Sequence, residues 1–351
     1  MRAVVADGKG GVRIGEVPLP RVPADGALVR VAAVGICGSD THKLAGAERG
    51  TVLGHEVAGV VERIGPRARE WRAGDRIVVA HHVPCGRCRF CRSGHESQCA
   101  LFRSTNLDPG GWAEFVAATG GHLRLAAFRI PRRMDEGLAS LTEPLACCLR
   151  AVRRSEARRG ETFVVVGLGF VGLLLAALLR KRGARVLGLD RITERTRFAS
   201  RWCGAVPLPA DPKRAAASVR RRTKGDGADQ VLLAAGAAET FGLALDLVRR
   251  GGTVHLFSAP DEGTRVSFDP NRIYKREVRV LATYSSSPRD LRAAWRLIRS
   301  GSLPFEELIT HRLPLDRIDE GLRAIRSGNA RKVVLVPGTH GFVPGTPGGG
   351  R

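Results

Sequence analysis

A run of closely spaced cysteines holds half of the eight cysteines in the chain. They are Cys85, Cys88, Cys91 and Cys99, at the spacing C-x2-C-x2-C-x7-C. Four thiolates can close a tetrahedral shell around Zn²⁺, and a closed shell leaves no position for a substrate or water. Arginines between the cysteines offset the negative charge of the thiolates. The spacing therefore predicts a structural zinc site that pins a loop, in preference to an iron–sulfur cluster or a redox pair.

Because a closed shell cannot act on a substrate, a second centre is expected elsewhere. Candidate side chains occur in three short segments, and they are Cys37, Ser39, Asp40, His42, His55, Glu56 and Glu143. One Cys, one His and a carboxylate form an incomplete zinc shell with room for water, which is the coordination typical of catalytic zinc. Each residue alone also suits an ordinary structural position, so it is their combination that predicts a metal centre.

A glycine-rich turn, G-x-G-x-x-G, forms a third motif at Gly167, Gly169 and Gly172. It follows an apolar strand and opens a helix, and Asp190 ends the next strand. This context is typical of a dinucleotide fold, in which the glycines let the backbone approach a pyrophosphate at the helix N-terminus. Asp190 is expected to bond the adenosine ribose and to repel a 2′-phosphate, which favours NAD over NADP. Arg191, directly after it, is the feature that would tolerate a phosphate.

Two differently patterned regions carry these motifs, and 351 residues are enough for two domains. Residues 1–150 alternate short apolar runs with turns, which predicts a β-rich domain. Strands are then predicted at 162–166, 185–189, 230–235 and 252–258, with helices at 193–203, 212–223 and 239–249. Alternation of strands and helices predicts a parallel sheet. Two helices, a strand at 332–337 and a disordered Gly- and Pro-rich tail at 338–351 are expected to follow.

The composition argues against several classes of protein. Apolar residues make up 43% of the chain, which indicates packed cores. The longest apolar run, 163–179, contains the glycine-rich turn and falls short of the roughly 20 residues of a membrane helix, and no signal peptide is evident. A cytoplasmic protein without a membrane partner is therefore expected. The net charge of +23 comes mostly from Arg without interleaved aromatics, which predicts only non-specific adsorption to polyanions and no specific nucleic-acid partner.

Together these motifs resemble those of the zinc-dependent medium-chain dehydrogenases/reductases, the alcohol dehydrogenase superfamily, and most closely its polyol (sorbitol-like) and threonine dehydrogenase branch. The resemblance covers nearly the whole chain. The matching segments are C-G-S-D-x-H at 37–42, G-H-E at 54–56, the cysteine run at 85–99, P-G-G-x-A-E at 109–114, E-P-L-A at 143–146 and the glycine motif at 167–172.

The resemblance implies an α/β fold of two domains. A GroES-like, β-rich catalytic domain would comprise residues 1–150 plus 289–351, with the structural-zinc lobe at 85–99. A Rossmann domain with a doubly wound parallel sheet would comprise residues 151–288. The family places the active site in the cleft between these two domains.

The resemblance also implies residue roles. Cys37, His55 and either Glu56 or Glu143 would bind the catalytic zinc, while Cys147 and Cys148 would be small apolar residues of a helix. Ser39 and His42 match the family's proton relay. The residues that match cofactor contacts are Gly167, Gly169, Val171, Gly172, Asp190 and Arg195, with Leu256, Phe257, Ser258, Thr283 and Tyr284 beside the nicotinamide.

The function implied is hydride transfer between a secondary alcohol (a polyol, an inositol-like compound or an amino alcohol) and NAD, in a dimer or tetramer with one catalytic and one structural zinc per chain. The hydroxyl proton would leave through Ser39, the cofactor ribose and His42. Two alternatives are a zinc-free quinone or enone reductase of the same fold and a zinc-ribbon nucleic-acid binder. The ligand set argues against the first, and the dinucleotide motif argues against the second.

Overall fold

The computed structural model describes residues 1–258 and 260–338. Two compact units are present, the first comprising Met1–Glu143 with the chain from Trp295 onward, and the second Pro144–Ala294. Apart from Gly338, the tail that was expected to be disordered lies outside the described residues.

The described chain contains both strands and helices, and they alternate most regularly between residues 162 and 256. The strands are β1 (Arg2–Ala6), β2 (Val12–Glu16), β3 (Ala27–Gly35), β4 (Glu56–Ile64), β5 (Arg76–Ala80), β6 (Phe115–Ala118), β7 (Ala127–Arg129), β8 (Thr162–Val166), β9 (Arg185–Leu189), β10 (Val206–Pro207), β11 (Ala228–Leu233), β12 (Val248–Leu256), β13 (Arg279–Ala282), β14 (Ile309–Leu313) and β15 (Lys332–Leu335). The helices are α1 (Gly38–Leu44), α2 (Arg89–Arg92), α3 (Ala100–Ser104), α4 (Gly120–Leu125), α5 (Glu136–Ser140), α6 (Thr142–Arg154), α7 (Phe170–Lys181), α8 (Thr193–Cys203), α9 (Pro212–Arg222), α10 (Glu239–Leu247), α11 (Asn271–Tyr274), α12 (Pro288–Arg299) and α13 (Ile318–Arg326).

A seven-stranded, largely antiparallel sheet forms the first unit. Its order is β14-β15-β3-β4-β5-β7, with β6 paired to β3. Valine and alanine fill β3 and β4, and such side chains pack well on a pleated, half-buried surface. The apolar residues of these strands join one buried core cluster with β1 and β15.

The register of this sheet brings distant segments to one end. Gly35, the last residue of β3, pairs with Glu56, the first residue of β4, and Glu56 also pairs with Ala80 at the end of β5. Val334 of β15 pairs with Gly35. The residues just before or after these positions, Cys37 and His81 among them, therefore emerge at the same edge.

A six-stranded parallel sheet forms the second unit, in the order β10-β9-β8-β11-β12-β13. Numbered along the chain, this is the 3-2-1-4-5-6 order of a doubly wound nucleotide-binding fold. Every residue of β8 is buried, as expected for a central parallel strand. The fold class predicted from the sequence, a β-rich domain plus a doubly wound parallel sheet, is confirmed.

Element bounds follow the apolar pattern closely. Strands β8 and β9 and helix α8 have the predicted bounds, whereas β12 begins four residues before the predicted start at 252. The extra residues are Val-Arg-Arg-Gly, which lack the apolar pattern by which a strand is recognised. Among the described helices, none is both long enough and apolar enough to cross a bilayer.

Candidate active site and metal centres

The four cysteines predicted to bind structural zinc lie together. Their sulfur atoms are all within 4.8 Å of one another, and the Sγ–Sγ distances are 3.5 Å for Cys88–Cys91 and 3.9 Å for Cys85–Cys91. Thiolates about 2.3 Å from a tetrahedral zinc would be roughly 3.8 Å apart, whereas disulfide sulfurs are about 2.05 Å apart. The donor set therefore fits a zinc ion.

Two thiols of this four-cysteine lobe have pKa values shifted in opposite directions. Hydrogen bonds from the backbone amides of Arg87 and Cys88 lower the pKa of the Cys85 thiol to about 6, while burial raises the pKa of the Cys91 thiol to about 12. A metal ion deprotonates a coordinating thiol outright. Loading of zinc at this lobe should therefore release protons, chiefly from the less acidic thiols.

A second donor group contains Cys37, His55 and Glu56, whose ligand atoms lie within 4.8 Å of one another. Cys37 caps helix α1 after strand β3, and Glu56 begins strand β4, so the β3–β4 register brings the two segments together. Three protein donors leave a fourth tetrahedral position for water or substrate, which is the catalytic type of zinc coordination. These residues fit an open zinc site.

Asp40 holds the imidazole of His55 through one of its two ring nitrogens. Its carboxylate lies 3.1 Å from His55 Nδ1 and accepts a hydrogen bond from the Cys37 backbone amide at 3.0 Å. Burial alone would lower the pKa of His55, but the Asp40 charge and hydrogen bond raise that pKa well above its ordinary value. Since Nδ1 is engaged, Nε2 is the nitrogen available to a metal.

Glu56 is fully buried and forms an ion pair with Lys332, whose Nζ lies 2.6 Å from Glu56 Oε1 and is also buried. Lys332 Nζ donates a second hydrogen bond to the carbonyl oxygen of Ile36 at 3.1 Å. Gly35 makes room for the pair, because a Cβ at that position would lie 1.8 Å from Glu56 Oε2. Glu56 therefore contacts a cation and also lies within 4.8 Å of the ligand atoms of Cys37 and His55.

Glu143 lies outside the group of three donors, among the described residues. It is buried in the first turn of α6, and its Oε1 is 3.9 Å from Nδ1 of His81. The ring of His81 is 4.7 Å from that of His55 and 3.8 Å from that of His82. Burial, together with the charges of the neighbouring histidines, lowers the pKa of His81 well below its ordinary value, so its ring is neutral at pH 7.

The predicted relay residues lie on helix α1 and are exposed. Ser39 Oγ donates a hydrogen bond to Cys37 Sγ at 3.3 Å. His42 follows three residues later, which puts it on the same side of the helix. Cys148, by contrast, is fully buried within α6, as expected for a small apolar residue.

The glycine-rich turn fits a dinucleotide. A Cβ at Gly172 would lie 1.8 Å from the Gly167 carbonyl oxygen, so only glycine allows the turn to close on helix α7. Among the described residues, a Cβ at Gly169 would meet only Arg195, at 3.8 Å, so these residues leave the space beside Gly169 open. Asp190 accepts hydrogen bonds from the amides of Leu168 and Ile192 at 2.7 and 2.8 Å. Its carboxylate is thus fixed beside the turn, with Arg195 3.6 Å away.

The remaining predicted cofactor residues follow the carboxyl ends of neighbouring parallel strands. Val171 lies in the first turn of α7, Leu256 ends β12 and Thr283 comes directly after β13. In doubly wound sheets, ligands bind at this end of the strands. The amides of Phe257 and Ser258 bond the Leu233 carbonyl oxygen, and Tyr284 is exposed. The Thr283 hydroxyl forms a hydrogen bond with His255 Nε2 at 2.8 Å, so this side chain links the end of β13 to strand β12.

The sequence did not predict the contacts that three residues make in this site. Asp40 was named only as a possible ligand, and its contact with His55 required the structure. His81 occurs in an ordinary strand pattern. Lys332 is 276 positions from Glu56, so no local pattern connects the two. The available signal for Lys332 was a lysine at the start of a strand that is otherwise apolar and buried.

Models of two protein families match this chain. The alcohol dehydrogenase GroES-like domain matches residues 23–127, and the zinc-binding dehydrogenase domain matches residues 171–300. These segments contain the donor group around Cys37, the four-cysteine lobe and most of the parallel sheet.

Curated relatives and solved structures extend over nearly the whole chain. L-threonine 3-dehydrogenase of Bacillus subtilis is 29% identical, over 94% of this chain and 96% of the relative. Erythritol/L-threitol dehydrogenase of Mycolicibacterium smegmatis is 32% identical, over 96% and 98%. A solved structure from Sinorhizobium meliloti 1021 with NADP bound is 32% identical, with a TM-score of 0.84 and coverage of 96% and 99%.

Proposed function

Because this chain belongs to the zinc-dependent medium-chain dehydrogenase/reductase family, we propose that it oxidises a secondary alcohol to a ketone by transferring hydride to a nicotinamide dinucleotide. The candidate substrates are polyols, inositol-like compounds and amino alcohols. One observation carries the proposal: an open set of donors at Cys37, His55 and Glu56 occurs in the same chain as a complete dinucleotide-binding turn.

Cys37 and His55 hold the catalytic zinc, with Glu56 or Glu143 as the carboxylate ligand, and the four-cysteine lobe holds the structural zinc. Bound at Cys37 and His55, zinc supplies Lewis acidity toward the substrate hydroxyl, and a bound nicotinamide supplies the hydride acceptor. Asp40 fixes the ring of His55, as outer partners of metal-binding histidines commonly do. The location of Glu56 within the donor group favours it over Glu143.

Ser39 and His42 carry the hydroxyl proton away. Ser39 lies against the ligand Cys37, and His42 is exposed on the same helix, so this pair leads from the donor group toward solvent. Replacing either residue by Ala should slow oxidation by about 10²–10⁴-fold, which is typical of a positioned acid–base group. The zinc content should not change, and a variant that lost zinc would contradict the relay.

NAD is the preferred cofactor, because Asp190 holds a fixed carboxylate where the adenosine ribose binds in such folds. Its charge opposes a 2′-phosphate, and like-charge contacts cost several kcal/mol. Asp190→Gly should therefore raise the ratio of kcat/KM for NADP to that for NAD by at least about tenfold. Measurement of both cofactors in wild type and variant decides the point, and a wild type that already prefers NADP would contradict it.

The assembly is a homo-oligomer, either a dimer or a tetramer, in the cytoplasm. Strand β13 is an edge of the parallel sheet, and its Val280 is 43% exposed, so an unpaired edge is available to a second copy. The four-cysteine lobe requires reduced thiols, which the cytoplasm maintains. Light scattering of the purified protein tests the assembly.

The experiment that tests the function is a screen for NAD reduction with polyols, inositols, threonine and simple secondary alcohols. Wild type should reduce NAD with at least one of them and contain two zinc ions per chain. Cys37→Ala should lose turnover and one zinc, and should still bind NADH. Cys203→Ala is the matched control, since this thiol lies in α8 outside both donor groups and should keep both zinc ions. Full zinc and near-normal turnover in Cys37→Ala would refute the proposed site.

A further inference from the structure

His81 is a buried polar side chain that the proposed reaction does not use. It is 8% exposed, and its Nδ1 has no hydrogen-bond partner among the described residues. The Glu143 carboxylate lies close to this nitrogen, with Oε1 3.9 Å away. A buried nitrogen without a partner is costly, because it has lost its hydrogen bonds to water.

The distance between the two atoms suits a shared hydroxyl group. At 3.9 Å, Nδ1 and Oε1 are too far apart for a direct hydrogen bond. A hydroxyl oxygen about 2.8 Å from each would subtend an angle of roughly 90°, which hydrogen bonds tolerate. Such a hydroxyl can accept a hydrogen bond from the imidazole and donate one to the carboxylate, so it would give His81 Nδ1 a hydrogen-bond partner.

The pair lies directly beside the donor group at which the reacting hydroxyl would bind. The ring of His81 is 4.7 Å from that of His55, which supplies the histidine ligand in the proposed function. We propose that His81 and Glu143 form a subsite for a second substrate hydroxyl, on the carbon next to the one that is oxidised. This inference rests on the proposed function, and it narrows the substrate class to vicinal diols and polyols.

Two alcohols that differ by one hydroxyl test this subsite: 2,3-butanediol and 2-butanol. In His81→Phe, which keeps a ring but lacks the nitrogen, kcat/KM for the diol should fall by at least about tenfold, as expected for loss of a buried hydrogen bond. The value for 2-butanol should change by less than about threefold. His81→Asn, whose amide nitrogen can occupy nearly the position of Nδ1, should restore most of the preference. His82→Asn is the neighbouring control, because His82 Nδ1 already bonds the Thr105 carbonyl oxygen.

Calorimetric titration of the zinc-loaded protein with the diol, together with zinc analysis, gives a readout that does not depend on turnover. His81→Phe should bind the diol at least about tenfold more weakly and keep two zinc ions per chain. An unchanged preference and affinity would overturn the subsite. Loss of zinc from His81→Phe, with both alcohols affected equally, would also overturn it and make His81 a support for the metal. A wild type that oxidises neither alcohol but still binds the diol through His81 would refute the reaction and leave the subsite standing.

Discussion

Glu56 and Lys332 form a buried charge pair, and Glu56 is itself a proposed metal ligand. Removing one partner of such a pair leaves an uncompensated charge in a medium of low polarity, which typically costs about 3–5 kcal/mol. Lys332→Met should therefore reduce the free energy of unfolding by about that amount in protein stripped of metal, as measured by urea denaturation.

The double variant Lys332→Met with Glu56→Gln provides the control for this prediction. Because it removes both charges, it should recover part of the lost stability. Equal stability of wild type and Lys332→Met would show that Glu56 does not depend on the lysine for its burial.

Among the structural elements, we expect the four-cysteine lobe to depend on a bound zinc ion for its stability. Its helices α2 and α3 have four and five residues, and helices this short do not form alone. Cys88→Ser should therefore remove one zinc per chain and lower the unfolding temperature. It should leave the zinc bound at Cys37 and His55 in place.

Zinc analysis beside thermal unfolding checks the prediction for the lobe. Ser93→Ala serves as a control, because Ser93 is an exposed residue of the same lobe whose hydroxyl does not belong to the donor group. Normal stability in folded Cys88→Ser protein would contradict a structural role for this zinc.

Strand β12 contains a buried histidine that should make the fold sensitive to acid. Burial lowers the pKa of His255 to about 4, while the unfolded chain has a value of about 6.5. Since the unfolded state binds the proton more tightly, the stability contributed by neutral His255 is complete above pH 6.5 and is lost as the pH falls toward 4.

His255→Gln should therefore lose less stability than wild type between pH 7 and pH 5, by on the order of 2 kcal/mol. Urea unfolding of both proteins at several pH values measures this difference, and the offset at pH 8 gives the intrinsic cost of the substitution. Parallel pH profiles for the two proteins would mean that His255 is protonated equally in the folded and unfolded states.

At the scale of the whole molecule, the net charge of +23 sets the behaviour toward polyanions. We expect similar binding to two duplex DNAs of unrelated sequence at about 50 mM salt, and a steep loss of affinity by about 200 mM, because such binding is driven by counterion release. Fluorescence anisotropy with labelled duplexes measures both effects. A preference for one sequence that persists at the higher salt concentration would contradict the absence of a specific nucleic-acid partner.

The sequence by itself determined the fold class and the family, and it predicted which groups of residues are candidates for metal and cofactor binding. Short-range physics is sufficient for these features: four thiols within fifteen positions can reach one ion, and a glycine turn between a strand and a helix requires no distant partner. The apolar pattern likewise specified β8, β9 and α8 to the residue, because the two strands are short apolar runs buried in the sheet and α8 buries one face.

Only the tertiary structure decided which distant groups meet. The antiparallel registers of β3, β4, β5 and β15 bring Glu56, His81 and Lys332 to one end of the sheet, and the placement of helix α6 then puts Glu143 3.9 Å from His81. Such registers are fixed by cooperative packing of whole strands, and a shift of one residue would turn every side chain to the opposite face. The contacts of His81 with Glu143 and of Glu56 with Lys332 join side chains that are 62 and 276 positions apart. Local residue spacing therefore cannot predict them, since these contacts form only after the sheet has formed.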